Sequence, residues 1–235
     1  MTTYVCKKSK VFTSEQIDEI LKKCAESNDH KEILTGVGVS LIYYGLLQVC
    51  DSLKIQKKDV SHRDNGRIVI KFEHARKRKI AGFTYHVPRL YSKLFKKYEK
   101  QLPKYVTEED LYLRVWVKKD QARSKLVKRY TTEQFAVEAC RILGIDDTGY
   151  TSHCFRRSAA TNPADAGVSF INLKRHGQWK SDSVAEEYIA NSKVLRDERE
   201  VCLLPENMRQ VQFFGPTKAQ RVFPGCRSIS PVFFY

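Results

Sequence analysis

Apolar residues recur at helical spacing along most of the chain. Ile17, Ile20, Leu21 and Cys24 follow Thr13-Ser14-Glu15-Gln16, whose residues can cap the start of an amphipathic helix. Residues 33–47 are too apolar for a surface helix and predict a buried one. After Pro88, Leu90 to Tyr98 reads as a basic helix closed by Pro103, and Thr132 to Leu143 as another ended by Gly144. Ser158 to Gly167 and Ser183 to Asn191 read as the last helices of the core. Asn162-Pro163 falls inside the first of these, and proline in a helix interior costs ~3 kcal/mol, so a kink or a fresh start is expected there. Two runs break the helical pattern: Arg67 to Phe72, preceded by the turn signal Asn65-Gly66, and Phe83 to Val87. They predict a small antiparallel sheet, and with it a mainly α fold of the α+β class. Beyond residue 196 the chain is punctuated by Pro205, Gly215-Pro216, Pro224-Gly225 and Pro231 before ending in Val232-Phe233-Phe234-Tyr235. The expected partition is an arm over 1–11, one domain over 12–195 and an irregular tail over 196–235.

Composition narrows the class. A chain of 235 residues, 42% hydrophobic and 29% charged, can bury a substantial core. No apolar run approaches the roughly 18 residues of a membrane span, and the start, MTTYVCKKSKVF, lacks the pattern of a secretory signal. Seven scattered cysteines without a CxxC pair argue against a disulfide framework or a metal ribbon and suit reduced, intracellular thiols. The net charge of +15 favours a polyanionic partner, nucleic acid before an anionic membrane surface. Between Lys54 and Lys104 stand 16 Lys and Arg against 4 acids, including Arg76-Lys77-Arg78-Lys79 between the two strand candidates. Phosphate backbone is the natural ligand for such a loop, because each neutralised phosphate releases a counterion. An import-type basic patch or a solvated turn are the plainer readings of the same run.

The chemistry concentrates in two boxes. Thr151 to Thr161 contains His153-Cys154-Phe155-Arg156-Arg157, and Leu173 to Ile189 contains His176-Gly177-Gln178-Trp179 with Tyr188 nine residues after the tryptophan and 32 after Arg156. Singly each piece is weak: HxxR is common, and Tyr188 alone reads as a core aromatic. In this order, with the small-residue helix between them, they resemble the tyrosine recombinase (phage integrase) superfamily, and within it the crypton-type eukaryotic transposon recombinases. The resemblance takes in residues 12–195, including Val11 to Ile17 and the box Ile42 to Leu53. It implies a double-stranded DNA partner and a reaction in which Tyr188 attacks a phosphodiester, leaving a 3′-phosphotyrosine and a free 5′-hydroxyl. Arg156 would clamp the non-bridging oxygens, His153 would relay a proton or hold the phosphate, and Trp179 would donate its indole N–H and pack under the nucleophile. Lys77, with Lys79 as the alternative, would protonate the leaving oxygen. Arg76, Arg78, Lys79, Arg157 and Lys180 are the expected DNA contacts. Neither a metal nor a small-molecule cofactor is implied.

Departures from the family pattern matter equally. Its first catalytic arginine is replaced by Gln48, with Asp51 at the acidic position. An amide can donate a hydrogen bond but brings no charge, and loss of one preorganised donor costs ~3–4 kcal/mol. About eleven residues precede the matching segment, so no clamp domain closing over DNA is expected. These features suggest a transposon-derived, nuclear protein with impaired strand transfer, or a non-catalytic domesticated DNA-binding module of the same fold. A type IB topoisomerase shares the chemistry but fits the Gly177–Tyr188 segment less well. Assembly into a homo-oligomer on DNA, with the apolar end at 232–235 exchanged between copies, is a further expectation.

Overall fold

Thr13 opens the first helix, α1 (Ser14–Glu26), through a reciprocal cap: its hydroxyl accepts from Gln16 N at 3.2 Å, and Gln16 Oε1 accepts from Thr13 N at 2.9 Å. The computed structural model describes residues 9–72, 83–116, 124–189 and 192. The apolar face of α1 packs on α2 (His30–Gly45), which is buried without interruption from Ile33 to Ile42. A helix apolar all round belongs inside, and α2 is surrounded by α1, α4 (Ser92–Gln101), α5 (Arg129–Leu143) and α6 (Cys154–Asp165). The basic helix expected after Pro88 is α4, entered through a short 3-10 turn over Arg89–Tyr91. Gly38 lets α5 approach: a Cβ there would lie 2.3 Å from the Phe135 ring.

The predicted sheet is present and gains a strand. β2 (Ile68–Phe72) pairs antiparallel with β3 (Phe83–Val87) and on its other edge with β1 (Val60–His62). Ile68, Ile70, Tyr85 and Val87 face the core. A second antiparallel pair, β4 (Arg114–Trp116) with β5 (Ser124–Leu126), and a short helix α3 (Val49–Ser52) were not expected. Three or four residues are too few to display a period. The run Arg76–Lys79 lies outside the described residues, as does the tail from 193 onward.

The helix anticipated from Ser158 begins four residues earlier, and α6 passes Pro163 without a break. Proline is tolerated because it stands in the last turn, two residues from the end, where one lost backbone bond matters little. The neighbouring Asn162 amide donates to Phe12 O at 3.2 Å and Tyr43 Oη at 3.1 Å, fixing α6 to the segment that leads into α1. Two further helices follow, α7 (Phe170–His176) and α8 (Asp182–Ile189).

Buried side chains form two clusters. The larger runs through α1, α2, α4, α5 and the three-stranded sheet. The smaller joins Leu46, Ala159, Ala160, Ala164, Leu173, Trp179, Ala185 and Ile189. Helix α6 belongs to both, contributing Cys154 and Phe155 to the first and its alanines to the second. Among the described residues Cys24, Cys50, Cys140 and Cys154 are not in disulfides, and burial pushes Cys24 up to about 12 and Cys140 up to about 11. No helix of the described residues is long and apolar enough to cross a membrane.

Overfilling the α2–α5 contact should cost more than removing a cap. In urea titrations Gly38→Ala is expected to lose about 2–3 kcal/mol, because an aromatic ring must move, against about 1 kcal/mol for Thr13→Ala. Equal losses would contradict this packing.

Candidate active site

Three side chains far apart in sequence meet where the smaller cluster abuts the end of α2. Arg156 comes from the first turn of α6, Trp179 from the turn after α7, and Tyr188 from the last turn of α8. The indole and phenol rings stack, with centroids 5.2 Å apart and planes inclined by 16°. The Arg156 guanidinium lies over both, 5.5 Å from the Trp179 centroid and 5.3 Å from that of Tyr188. It also donates to the carbonyl of Leu46 and, at 3.5 Å, to that of Gly177. Arg156 and Trp179 are each 6% exposed, whereas Tyr188 is half-buried. The cation is thus solvated by carbonyl dipoles and ring faces.

Local sequence explains how the elements come so close. Ala159, Ala160 and Ala164 on α6 meet Ala185 on α8, and small side chains shorten the distance between helix axes. Gly177 accommodates the indole: a Cβ there would lie 2.9 Å from three atoms of the ring. Helix α7 is tied to the end of α2 by His176, whose Nε2 stands 2.8 Å from Tyr44 O.

Backbone strain is focused here as well. Among the described residues the non-glycine positions with positive φ are Leu46 at 47° and Gln178 at 51°. Leu46 supplies the carbonyl that holds Arg156, and Gln178 follows the residue supplying the other. Such conformations cost about 1–3 kcal/mol and persist only where surrounding structure enforces them. Sequence reasoning missed both acceptors, Leu46 O and Gly177 O, because they are backbone atoms and because neither Leu46 nor Gln178 is of a type that signals a left-handed turn.

The remaining candidates fall in different places. His153 stands at the N-terminal boundary of α6 with its ring exposed, three residues before Arg156. Among the described residues that ring makes no hydrogen bond, ion pair or ring contact; the backbone N donates to Thr151 Oγ1 at 3.3 Å. Gln48 is exposed at the start of α3, its Oε1 3.6 Å from Cys50 Sγ, two residues past the carbonyl that binds Arg156. Lys180 is exposed. Arg157 is not the surface contact expected of it: it is 8% exposed and its Nη2 donates to Glu187 O at 3.4 Å. The cause is its place on α6, one residue past Arg156, which turns it towards α8. Arg76, Lys77, Arg78 and Lys79 lie outside the described residues. No group of three or more His, Cys, Asp or Glu among the described residues is placed to hold a metal ion.

Comparison with solved structures places the architecture. XerH site-specific recombinase, solved as a post-cleavage complex with a palindromic difH substrate, superposes with a TM-score of 0.62 at 14% identity, over 83% of this chain and 53% of that one. XerA recombinase gives 0.61 at 15% identity, over 87% and 67%. The Tn1549 transposon integrase, in complex with a circular intermediate DNA, gives 0.55 at 13% identity, over 85% and 68%. The fold is therefore that of the tyrosine recombinase catalytic domain, and the chain spans about half the length of XerH. The Phage integrase family profile matches residues 10–194, and the chain belongs to that family. No curated protein matches the sequence.

The close fit at Gly177 makes it a sensitive position. Gly177→Ala must displace the indole or the turn, so unfolding free energy should fall by about 1–3 kcal/mol, with a change in Trp179 emission read in a Trp116→Phe background. An unaltered spectrum and midpoint would show that the ring does not press on this turn.

Proposed function

We propose that this chain is a DNA strand transferase of the tyrosine recombinase type, acting on double-stranded DNA. One observation carries the reading: Arg156, Trp179 and Tyr188, which the family resemblance marks as phosphate clamp, donor and nucleophile, share a single cluster although 32 residues separate the first from the last. Tyr188 Oη attacks the phosphorus, and a phosphotyrosine bond forms as the bond to the 5′-oxygen breaks. The phenolic proton leaves to His153 or water, and the 5′-oxygen takes a proton from Lys77. The Arg156 guanidinium next to the Tyr188 ring is suited to the negative charge that develops on the phosphate oxygens. The Trp179 Nε1 atom is buried with no hydrogen-bond partner among the described residues, which suits a donor awaiting a phosphate oxygen. The net charge of +15 and exposed Lys180 supply attraction for the backbone. The resemblance to crypton recombinases supports an origin in a mobile element, use in the nucleus and assembly on DNA.

A second reading rests on Gln48. It is exposed and uncharged at the position of the family's first arginine, beside the turn that carries the Leu46 carbonyl. On this reading the chain binds duplex DNA without cutting it.

One experiment separates the two. Incubation with a nicked suicide duplex should trap a covalent adduct that disappears in Tyr188→Phe while duplex affinity is retained. Gln48→Arg should raise the adduct yield by about 10²–10³. Absence of adduct in both the wild type and Gln48→Arg would leave the binding module as the function.

A further inference from the structure

Helix α6 does more than carry Arg156. Three of its residues, Arg157, Thr161 and Asp165, follow one another at four-residue spacing and so lie along one ridge. Each reaches the end of the nucleophile helix in turn. Arg157 Nη2 donates to Glu187 O at 3.4 Å, Thr161 Oγ1 donates to Tyr188 O at 3.2 Å, and Asp165 Oδ1 accepts from Ser192 Oγ at 2.7 Å. Ser192 is fully buried, and its backbone N closes on Ile189 O at 2.8 Å. The last turn of any helix leaves carbonyls without intrahelical partners. Here two of those in α8 are taken by side chains of α6, one of them cationic and suited to the negative end of the helix dipole.

We infer that Arg157, Thr161 and Asp165 are positioning residues that hold the Tyr188 backbone at a fixed distance from Arg156 on the same helix. The inference rests on the recombinase reading of Tyr188. The ladder grips the carbonyl of the nucleophile residue itself, five residues along α6 from the clamp, so the phenol and the guanidinium move as one body. Neither Arg157, Thr161 nor Asp165 meets the reacting atoms in this arrangement. Their effect is on where the tyrosine stands, and misplacement by an ångström can cost about 10² in rate.

The test uses the full chain and the variants Thr161→Val, Thr161→Ser and Ser192→Ala. Amide hydrogen exchange is followed by mass spectrometry over residues 182–189, with residues 14–26 in α1 as the internal control. Thr161→Val and Ser192→Ala should each accelerate exchange over 182–189 by about tenfold and leave α1 unchanged, as expected for local opening. Thr161→Ser, which keeps the hydroxyl, should behave as wild type. On the nicked duplex the first two variants should form adduct about ten- to a hundredfold more slowly at unchanged duplex affinity. Unchanged exchange over 182–189 in both variants, acceleration shared by α1, or acceleration without slower adduct formation would overturn the inference. Should wild type and Gln48→Arg both form no adduct, the recombinase reading falls and the positioning role falls with it. The exchange contrast would still report whether the ladder holds α8.

Discussion

A buried guanidinium is the constraint around which the second half of this domain is arranged. Removing a full charge from water costs several kcal/mol unless dipoles or opposite charges replace the lost solvation. Arg156 obtains part of that replacement from Leu46 O and Gly177 O and part from the faces of Trp179 and Tyr188. Meeting those needs ties the end of α2, the turn after α7 and the last turn of α8 to the first turn of α6. It also accounts for where backbone strain is tolerated: among the described residues the left-handed non-glycine positions are Leu46, which carries one of the carbonyls, and Gln178, which follows the other.

The two apolar clusters give this arrangement different foundations on its two sides. The larger one fixes α2 and the start of α6 through bulky, interlocked side chains such as Phe12, Phe135 and Phe155. The smaller one is alanine-rich where α6 meets α8, with the stacked Trp179 and Tyr188 rings packed beside those alanines. Large side chains determine one geometry by shape, whereas small ones permit close approach and leave orientation to hydrogen bonds. Polar contacts are accordingly frequent where α6 meets α8.

Much of the architecture was legible from the sequence because long periodic runs carry strong signals. The cap at Thr13, the buried run over α2, the strands at 68–72 and 83–87 and the stop at Gly144 follow from patterns extending over several residues. Short elements such as β4, β5 and α3 are fixed by tertiary pairing and leave no period to read. At the site, the order of Arg156, Trp179 and Tyr188 indicated a meeting that the fold brings about. Arg157, a DNA contact by resemblance, is instead buried against α8, because its place on the helix and not its charge decides where it faces. Pro163 leaves α6 unbroken for a related reason: the effect of a proline depends on how much helix follows it, which residue identity does not state. The acceptors at Leu46 and Gly177 are backbone atoms, and no side-chain motif encodes them.

The chemical nature of the partners named for Arg156 has an electrical consequence. Amide dipoles and π-clouds are neutral, so they offset the cost of burial without cancelling the cation, as a carboxylate would. An anion approaching this site meets a positive charge held in a partly dry environment, where dissolved salt weakens the attraction less than it does at the open surface.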